Sequence, residues 1–468
     1  MTKYLLFLLT ASILFSCNSK KERSGETYFG GEIVNPKTSY IILSKDGVPI
    51  DSVALEEDNT FLYKFKDPEP ARGIYTFQHN EFQMFYLQPG DSLMVRVNTM
   101  DFDESLHYSG IGAKNNNFLI KLFLQNEAEV KLLANDYLLS PKEFSENLKS
   151  LEAEHTKELK QFVEKNDPSE EFIKIAASNI KYNEYIKKEL YTAVFNQNPE
   201  RVANTSFPKD FYDYRSDIDL GNNKLRTYYP YYRFLDLYFD NLAYKRYSDE
   251  APRDRSSFIH KREKIILIDS LITNDSLKNS LIRRNARKYL LSTKDPVNGR
   301  KMVEILKKYD DNPIHHKEIQ KLAQATIKLT PGQLVPNVLL VNSNNEAKQL
   351  QEILTQRTVL YFWTMESVTH FTDIHTKVAE LSSKYPEFEF IGINTDTHYK
   401  KWLKTVKTSG FNKEKEYQLE DIENAERRLV LTSNNKALII KKNGEILESN
   451  TNLFSPDIEK QLLEFLNL

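Results

Sequence analysis

The chain has 468 residues, which is too long for one ordinary hydrophobic core, so we expect two or three domains. Its 64 lysines and arginines nearly balance its 66 aspartates and glutamates, giving a formal net charge of -2 at pH 7. No basic stripe with interleaved aromatic residues stands out either, so the composition argues against nucleic acid as a partner.

The N-terminus has the features of a bacterial lipoprotein signal. Lys3 precedes a short apolar run that could not cross about 30 Å of hydrocarbon. The run ends in Leu14-Phe15-Ser16-Cys17, which resembles a lipobox. We therefore expect residues 1–16 to be removed as a signal peptide and Cys17 to be lipidated; a stray or buried cysteine is the alternative. Residues 17–26 are polar and would form the tether between lipid and fold.

Lipidation would use the only thiol of the chain. Cys17 is the single cysteine, so the mature protein would have no thiolate for disulfide exchange, peroxide reduction or metal binding. We expect no cofactor and no metal ion. Acyl chains, at about 0.8 kcal/mol per buried methylene, would make the membrane its partner. Because Asn18 and Ser19 bring no acidic export signal, we expect the periplasmic face of the outer membrane.

Residues 27–112 have the pattern of a small antiparallel β-sandwich. Apolar residues alternate with others along three stretches, as strands with one buried face require. These residues are Ile41 and Leu43, then Phe61, Tyr63 and Phe65, then Leu93, Val95 and Val97. Gln88-Pro89-Gly90-Asp91 has proline and glycine at the central positions of a type II turn.

Residues 113–330 change to a helical period. Glycine becomes rare, and apolar residues recur every three or four positions along one face. The clearest stripe consists of Phe144, Leu148, Leu151, His155, Leu159 and Phe162. The pattern predicts an all-α region.

Residues 331–468 follow a third pattern. An apolar strand, Val359–Trp363, leads into a helix that ends near Lys384, and a second strand and helix follow. Asn443-Gly444 marks a hairpin, and Ser455-Pro456-Asp457 opens a last helix. The order βαβαββα is typical of a thioredoxin-like fold. The fold class is therefore multidomain, with α+β and α/β parts.

The last region resembles the TlpA/ResA-like thiol-disulfide oxidoreductases of bacterial envelopes. Three pieces carry the resemblance: Val359-Leu-Tyr-Phe-Trp363, Phe390-Ile-Gly-Ile-Asn-Thr-Asp396 and Leu438-Ile-Ile-Lys-Lys-Asn-Gly444. The layout as a whole resembles Bacteroidota lipoproteins that place a β-rich domain of unknown function and a helical segment before such a domain. Phe85-Tyr-Leu-Gln-Pro-Gly-Asp91 is typical of that first domain.

The residues that would carry redox chemistry in that family are absent here. Aligned on Phe362-Trp363, its two cysteines fall on Ser367 and His370. Counted back from Gly444, its cis-proline falls on Asn435. The resemblance thus implies a thioredoxin-like fold whose redox positions are degenerate.

The helix that follows this turn presents free N–H groups and a positive partial charge, whatever side chains it carries. Ser367 is placed to cap those N–H groups. Glu366, Thr369, His370 and Asp373 recur at three- and four-residue spacings, so one face could gather them. A solvated capped helix, a polar binding patch, and a metal, acid-base or Ser-His site are the three open interpretations.

Our leading hypothesis is a lipid-anchored envelope protein whose thioredoxin-like domain has lost catalysis and acts by binding or assembly with an envelope protein partner. One alternative is an enzyme that uses the non-thiol groups Glu366, Ser367 and His370. Another is a thiol-disulfide oxidoreductase by family resemblance alone, and fold does not carry function by itself.

Overall fold

The computed structural model describes residues 25–66, 72–79, 81–365 and 367–466. The predicted signal peptide, Cys17 and Glu366 lie outside these residues. Within them, no helix is both long and apolar enough to span a membrane. The chain divides into two compact units: one takes the described residues up to Lys131 together with Glu154–Ala177, and the other takes Leu132–Ala153 together with the described residues from Ser178 onward. The predicted domain limits remain predictions.

The N-terminal part consists of two four-stranded sheets, with strand orders β4-β1-β7-β8 and β3-β2-β5-β6. Its elements are β1 (Tyr28–Val34), β2 (Tyr40–Lys45), β3 (Val48–Ala54), β4 (Thr60–Lys64), β5 (Gly73–His79), β6 (Glu81–Leu87), β7 (Ser92–Asn98), α1 (Phe102–Ser105) and β8 (His107–Ile111). One apolar core contains residues of both sheets, among them Phe29, Phe77 and Val95. The predicted β-sandwich is confirmed.

The turn at Gly90 agrees with the sequence prediction, whereas one pair of strands runs in a direction that was not expected. Gly90 has φ +81°, and the Asp91 N–H donates to the Gln88 carbonyl at 3.1 Å, as a type II turn requires. The described pairs are antiparallel except β1 with β7, which is parallel. An alternating pattern reports which side of a strand is buried and says nothing of its direction, so this parallel pair was not predicted.

Helices occupy the predicted all-α region. They are α2 (Ala113–Asp136), α3 (Pro141–Asn166), α4 (Glu170–Phe195), α5 (Pro199–Asn204), α6 (Tyr229–Tyr247), α7 (Phe258–Leu271), α8 (Asp275–Ser292), α9 (Pro296–Tyr309) and α10 (Pro313–Lys328). Several begin where an Asn or Asp cap precedes proline: Asp295, for example, accepts from the Val297 and Asn298 N–H groups. The predicted stripe is partly core, since Phe144 stacks on Tyr191 at 4.1 Å between ring centroids.

The C-terminal part is built on a seven-stranded sheet of order β10-β9-β13-β12-β11-β14-β15. Its elements are β9 (Leu339–Val341), β10 (Ala347–Gln349), β11 (Arg357–Trp363), α11 (Val368–Lys384), β12 (Phe388–Asn394), α12 (Tyr399–Ser409), β13 (Glu416–Leu419), α13 (Ile422–Leu429), β14 (Lys436–Ile440), β15 (Ile446–Asn452) and α14 (Ile458–Leu466). Strand β11 runs parallel to β12 and antiparallel to β14.

Both faces of the central strand β11 are buried. Leu360 and Phe362 belong to the core shared with α13, whereas Tyr361 and Trp363 belong to the core on the opposite face, shared with α11, α12 and α14. This explains why β11 reads as a continuous apolar run rather than an alternating one. The mixed α+β class and the thioredoxin-like arrangement of strands and helices are confirmed.

Three elements of this part were not predicted: β10, β13 and α13. The two strands have three and four residues, too few for a period to be recognised. Strand β13 also carries the polar residues Glu416 and Gln418 in a buried position. The last helix begins at Ile458, after a turn that contains Ser455, and not directly behind the serine.

Candidate functional site

The turn between β11 and α11 is held by Asp396, which follows the end of the neighbouring strand β12. The Thr364 hydroxyl donates to Asp396 Oδ1 at 2.6 Å, and the Met365 N–H donates to Asp396 Oδ2 at 2.7 Å. The Asn394 amide donates to the same Oδ2 at 2.7 Å. Because parallel strands end at the same edge of a sheet, this aspartate reaches the turn directly. The position that would carry redox chemistry is thus rigidly supported.

Ser367 occupies the N-cap position of α11, but its side chain makes no hydrogen bond to the helix N–H groups. The expectation that it caps the helix is wrong. Its backbone, with φ -114° and ψ 85°, departs from the extended geometry that usually directs a capping oxygen at the second or third N–H. The Ser367 carbonyl still accepts from the Phe371 N–H at 3.0 Å, so the helix begins regularly.

The structure brings together His370 and Asn435, two of the residues that the sequence analysis placed at degenerate redox positions. Burial lowers the pKa of His370, and the nearby Asn435 and Asp373 side chains oppose this only in part. Both ring nitrogens of His370 and Asn435 Oδ1 are shielded from solvent, and none has a hydrogen-bond partner of good geometry within the described part of the chain. The His370 side chain therefore lies at the start of α11 with its ring nitrogens turned away from solvent.

The remaining residues of the predicted patch are more accessible. Thr369 and Asp373 are exposed and Ser367 is half-buried, so these three face outward while the nitrogens of His370 do not. Glu366 lies outside the described residues. Among the residues that are described, no group of three or more His, Cys, Asp or Glu side chains could hold a metal ion.

A buried carboxylate on β13 was missed by the sequence analysis. Glu416 is 2% exposed and accepts hydrogen bonds from the Tyr361 hydroxyl at 2.8 Å and the Trp363 indole N–H at 2.9 Å. His375 Nε2 lies 3.2 Å from Glu416 Oε1. Burial, together with this carboxylate, raises the pKa of Tyr361 well above its usual value, so the phenol stays a donor. No signal in the sequence indicated this burial, because Glu416 follows the charged run Lys413-Glu414-Lys415.

Two further contacts fix the position of the His375 ring. Its Nδ1 lies 2.6 Å from the Phe371 carbonyl, which can only accept, so this nitrogen is the donor. The ring also stacks on Phe411, with ring centroids 3.6 Å apart. The imidazole is therefore held between its own helix, Phe411 and the Glu416 carboxylate.

Similarity to known proteins is found among solved structures. No family model matches the chain, and no curated protein matches it either. Solved structures do resemble it: a thiol:disulfide interchange protein from Bacteroides sp. is 13% identical, with a TM-score of 0.27, over 30% of this chain and 93% of its own. The thioredoxin domain of a thiol-disulfide oxidoreductase from Bacteroides vulgatus is 15% identical, with a TM-score of 0.25, over 30% of this chain and 99% of its own.

The thioredoxin-like fold of the C-terminal sheet follows from its strand order and directions. Strands β11, β12 and β13 are parallel, and β14 pairs antiparallel with β11. At the two positions where the sequence analysis expected the thiols of a redox enzyme, the chain has Ser367 and His370.

Proposed function

We propose that this protein is a lipid-anchored envelope protein whose thioredoxin-like domain acts by binding or assembly and not by thiol chemistry. The observation that carries the proposal is the turn after β11, which keeps its support from Asp396 but has serine and histidine in place of both thiols. Thiol-disulfide exchange needs an accessible thiolate, and neither side chain can supply one.

The burial of the His370 ring nitrogens supports a role in binding and not in catalysis. A histidine that acts as general base must reach the proton it removes, whereas the ring nitrogens of His370 are shielded from solvent. The accessible groups of the turn are Ser367, Thr369 and Asp373, which offer hydroxyls and one negative charge to a partner surface. We infer that the partner is another envelope protein that contacts this end of α11.

The lipid anchor is proposed from the sequence. With Cys17 acylated, the protein would lie on the periplasmic face of the outer membrane and hold its folded parts beside that surface. Replacing Cys17 by serine should move the protein from the membrane fraction to the soluble fraction or leave it with its signal peptide uncleaved. Normal membrane retention of the Cys17→Ser protein would overturn this part of the proposal.

The binding role is tested by capture of partners from detergent-solubilised membranes. Thr369→Arg places a large cation on the exposed end of α11 and should remove proteins that co-purify with the wild type. Thr376→Arg is the matched control, because Thr376 is also exposed on α11 but lies about two turns farther along the helix. Equal capture by both variants and the wild type would contradict a binding surface at the turn, and turnover in an insulin-reduction assay would contradict the loss of thiol chemistry.

A further inference from the structure

A surface cleft of about 540 Å³ lies between α10, α13 and the segment that leads into β9. Four cationic side chains line it: Lys321 and Lys328 from α10, and Arg427 and Arg428 from α13. The rest of the lining is amide or apolar, with no aspartate or glutamate. Although the chain has a formal net charge of -2, the only charged side chains that line this cleft are positive.

The spacing of these residues explains how they converge. Lys321 and Lys328 are seven positions apart, about two helical turns, so they lie on the same face of α10. Asn424, Arg427 and Arg428 have the i, i+3, i+4 spacing of one face of α13. Two helices therefore turn their cationic faces toward the same space.

Most of this charge is not neutralised by the protein. Arg427 lies 3.6 Å from Glu423 in a pair whose side chains are 65% and 85% exposed, which is a weak interaction. Lys321, Lys328 and Arg428 have no ion-pair partner within the described ranges. Lys328 and the two arginines lie in the last turn of their helices, where the helix dipole favours a cation. This does not explain the cation at Lys321, which lies two turns before the end of α10. Like charges that converge without a counterion favour an anionic ligand.

The walls of the cleft are fixed before any ligand arrives. Helix α13 is capped at its start by Asp421, which accepts from the Asn424 N–H at 3.0 Å. At its end the buried Lys436 ammonium donates to the Leu429 carbonyl at 2.8 Å and the Val430 carbonyl at 3.1 Å. A preformed site loses less entropy on binding than a flexible one.

The third wall, residues 333–336, is tied to the β14–β15 hairpin. The Val335 N–H donates to the Gly444 carbonyl at 2.8 Å, and the Ile446 N–H donates to the Gln333 carbonyl at 2.8 Å. This wall presents Leu334, which is 61% exposed, together with Pro336. An apolar surface therefore stands beside the cations.

We propose that this cleft binds a small organic anion that carries at least two negative charges, as carboxylates or phosphate, and an apolar group that contacts Leu334. Its volume lies in the range of about 300 to 1,000 Å³ that is usual for small-molecule sites. Arginine guanidinium groups suit bidentate contacts with either kind of anion. The proposal is independent of the turn after β11, because none of its residues lines the cleft.

The test is calorimetric titration of the detergent-solubilised full chain with phthalate, phenyl phosphate and inorganic phosphate. We expect saturable, salt-sensitive binding of phthalate or phenyl phosphate, each of which joins an aromatic ring to two negative charges; the two probes distinguish carboxylate from phosphate recognition. The double variant Lys328→Gln with Arg428→Gln should bind about tenfold more weakly or worse, since it loses two charge-assisted contacts. The double variant Lys401→Gln with Lys404→Gln, exposed lysines of α12, has the same net charge and should bind as the wild type.

Leu334→Ser tests the apolar wall. It should weaken phenyl phosphate and leave inorganic phosphate unchanged, which would support the assignment of an apolar group. The absence of saturable binding of all three probes, equal loss in both double variants, or binding of a polyglutamate peptide without binding of any small anion would each overturn the proposal. Circular dichroism of every variant establishes that the fold is intact.

Discussion

His375 and Glu416 form a largely buried pair, with 3.2 Å between His375 Nε2 and Glu416 Oε1. His375 lies on α11 and Glu416 on β13, 41 positions apart in the chain. The other ring nitrogen of His375 donates to the Phe371 carbonyl at 2.6 Å. The hydrogen-bonded carboxylate therefore joins the helix to the sheet.

Glu416→Ala should destabilise the protein by about 1 to 3 kcal/mol, because it removes the acceptor of two buried donors, the Tyr361 hydroxyl and the Trp363 indole N–H. Urea unfolding followed by tryptophan fluorescence measures the change. Glu414→Ala is the control: it lies two residues earlier and is exposed, so its stability should match the wild type. Equal stability of the two variants would contradict a structural role for the carboxylate.

Gly392 makes room for this carboxylate. A Cβ at that position would lie 2.4 Å from Glu416 Oε2, closer than real atoms approach. Gly392→Ala should therefore destabilise by about 1 to 3 kcal/mol through overpacking. In a Glu416→Ala background the space is free, so the same change should cost much less. A double-mutant cycle measures this coupling, and additive effects would show that the glycine serves another purpose.

Ser367→Ala should leave the free energy of unfolding within about 0.5 kcal/mol of the wild type, since the serine makes no capping bond. Asp421→Ala is the positive control, because Asp421 does cap α13 through the Asn424 N–H at 3.0 Å. It should cost about 0.5 to 2 kcal/mol. A comparable loss in Ser367→Ala would restore the capping interpretation.

The sequence predicts what depends on local pattern and on long apolar runs. The strand Arg357–Trp363 and the turn at Gly90 follow from residue order alone, and both are present. The cluster around Glu416 could not be predicted, because its members come from β11, α11 and β13 and meet only through sheet pairing. The same holds for the cleft, whose cations lie about 100 positions apart along the chain.

The C-terminal end of α13 is bound by a side chain from the following strand, β14. A histidine or lysine at a helix end is common, but Lys436 lies beyond the helix and returns to its carbonyls from the start of β14. Burial lowers its pKa to about 8, and Glu448 opposes this effect only in part. The cost of keeping it charged inside the fold makes stability depend on pH.

Stability should rise as pH increases from about 8 to about 9, below the range in which the tyrosines, whose pKa values burial raises in the folded state, ionise in the unfolded chain. In this window the folded state has released the Lys436 proton, while the unfolded state, with a pKa near 10.5, still binds it. The state that binds more protons is favoured at lower pH, so raising the pH favours folding.

Lys261 contributes in the same direction, because burial lowers its pKa to about 8 as well. Lys436→Met should therefore reduce the slope of unfolding free energy against pH, and Lys436→Met with Lys261→Met should reduce it further, leaving the contribution of Lys288, whose pKa burial also lowers. Urea unfolding at a series of pH values measures the slope, and Lys401→Met, at an exposed position, should leave it unchanged. A wild-type slope that persists in the double variant would mean that other groups release the protons and that Lys436 stays charged at the end of α13.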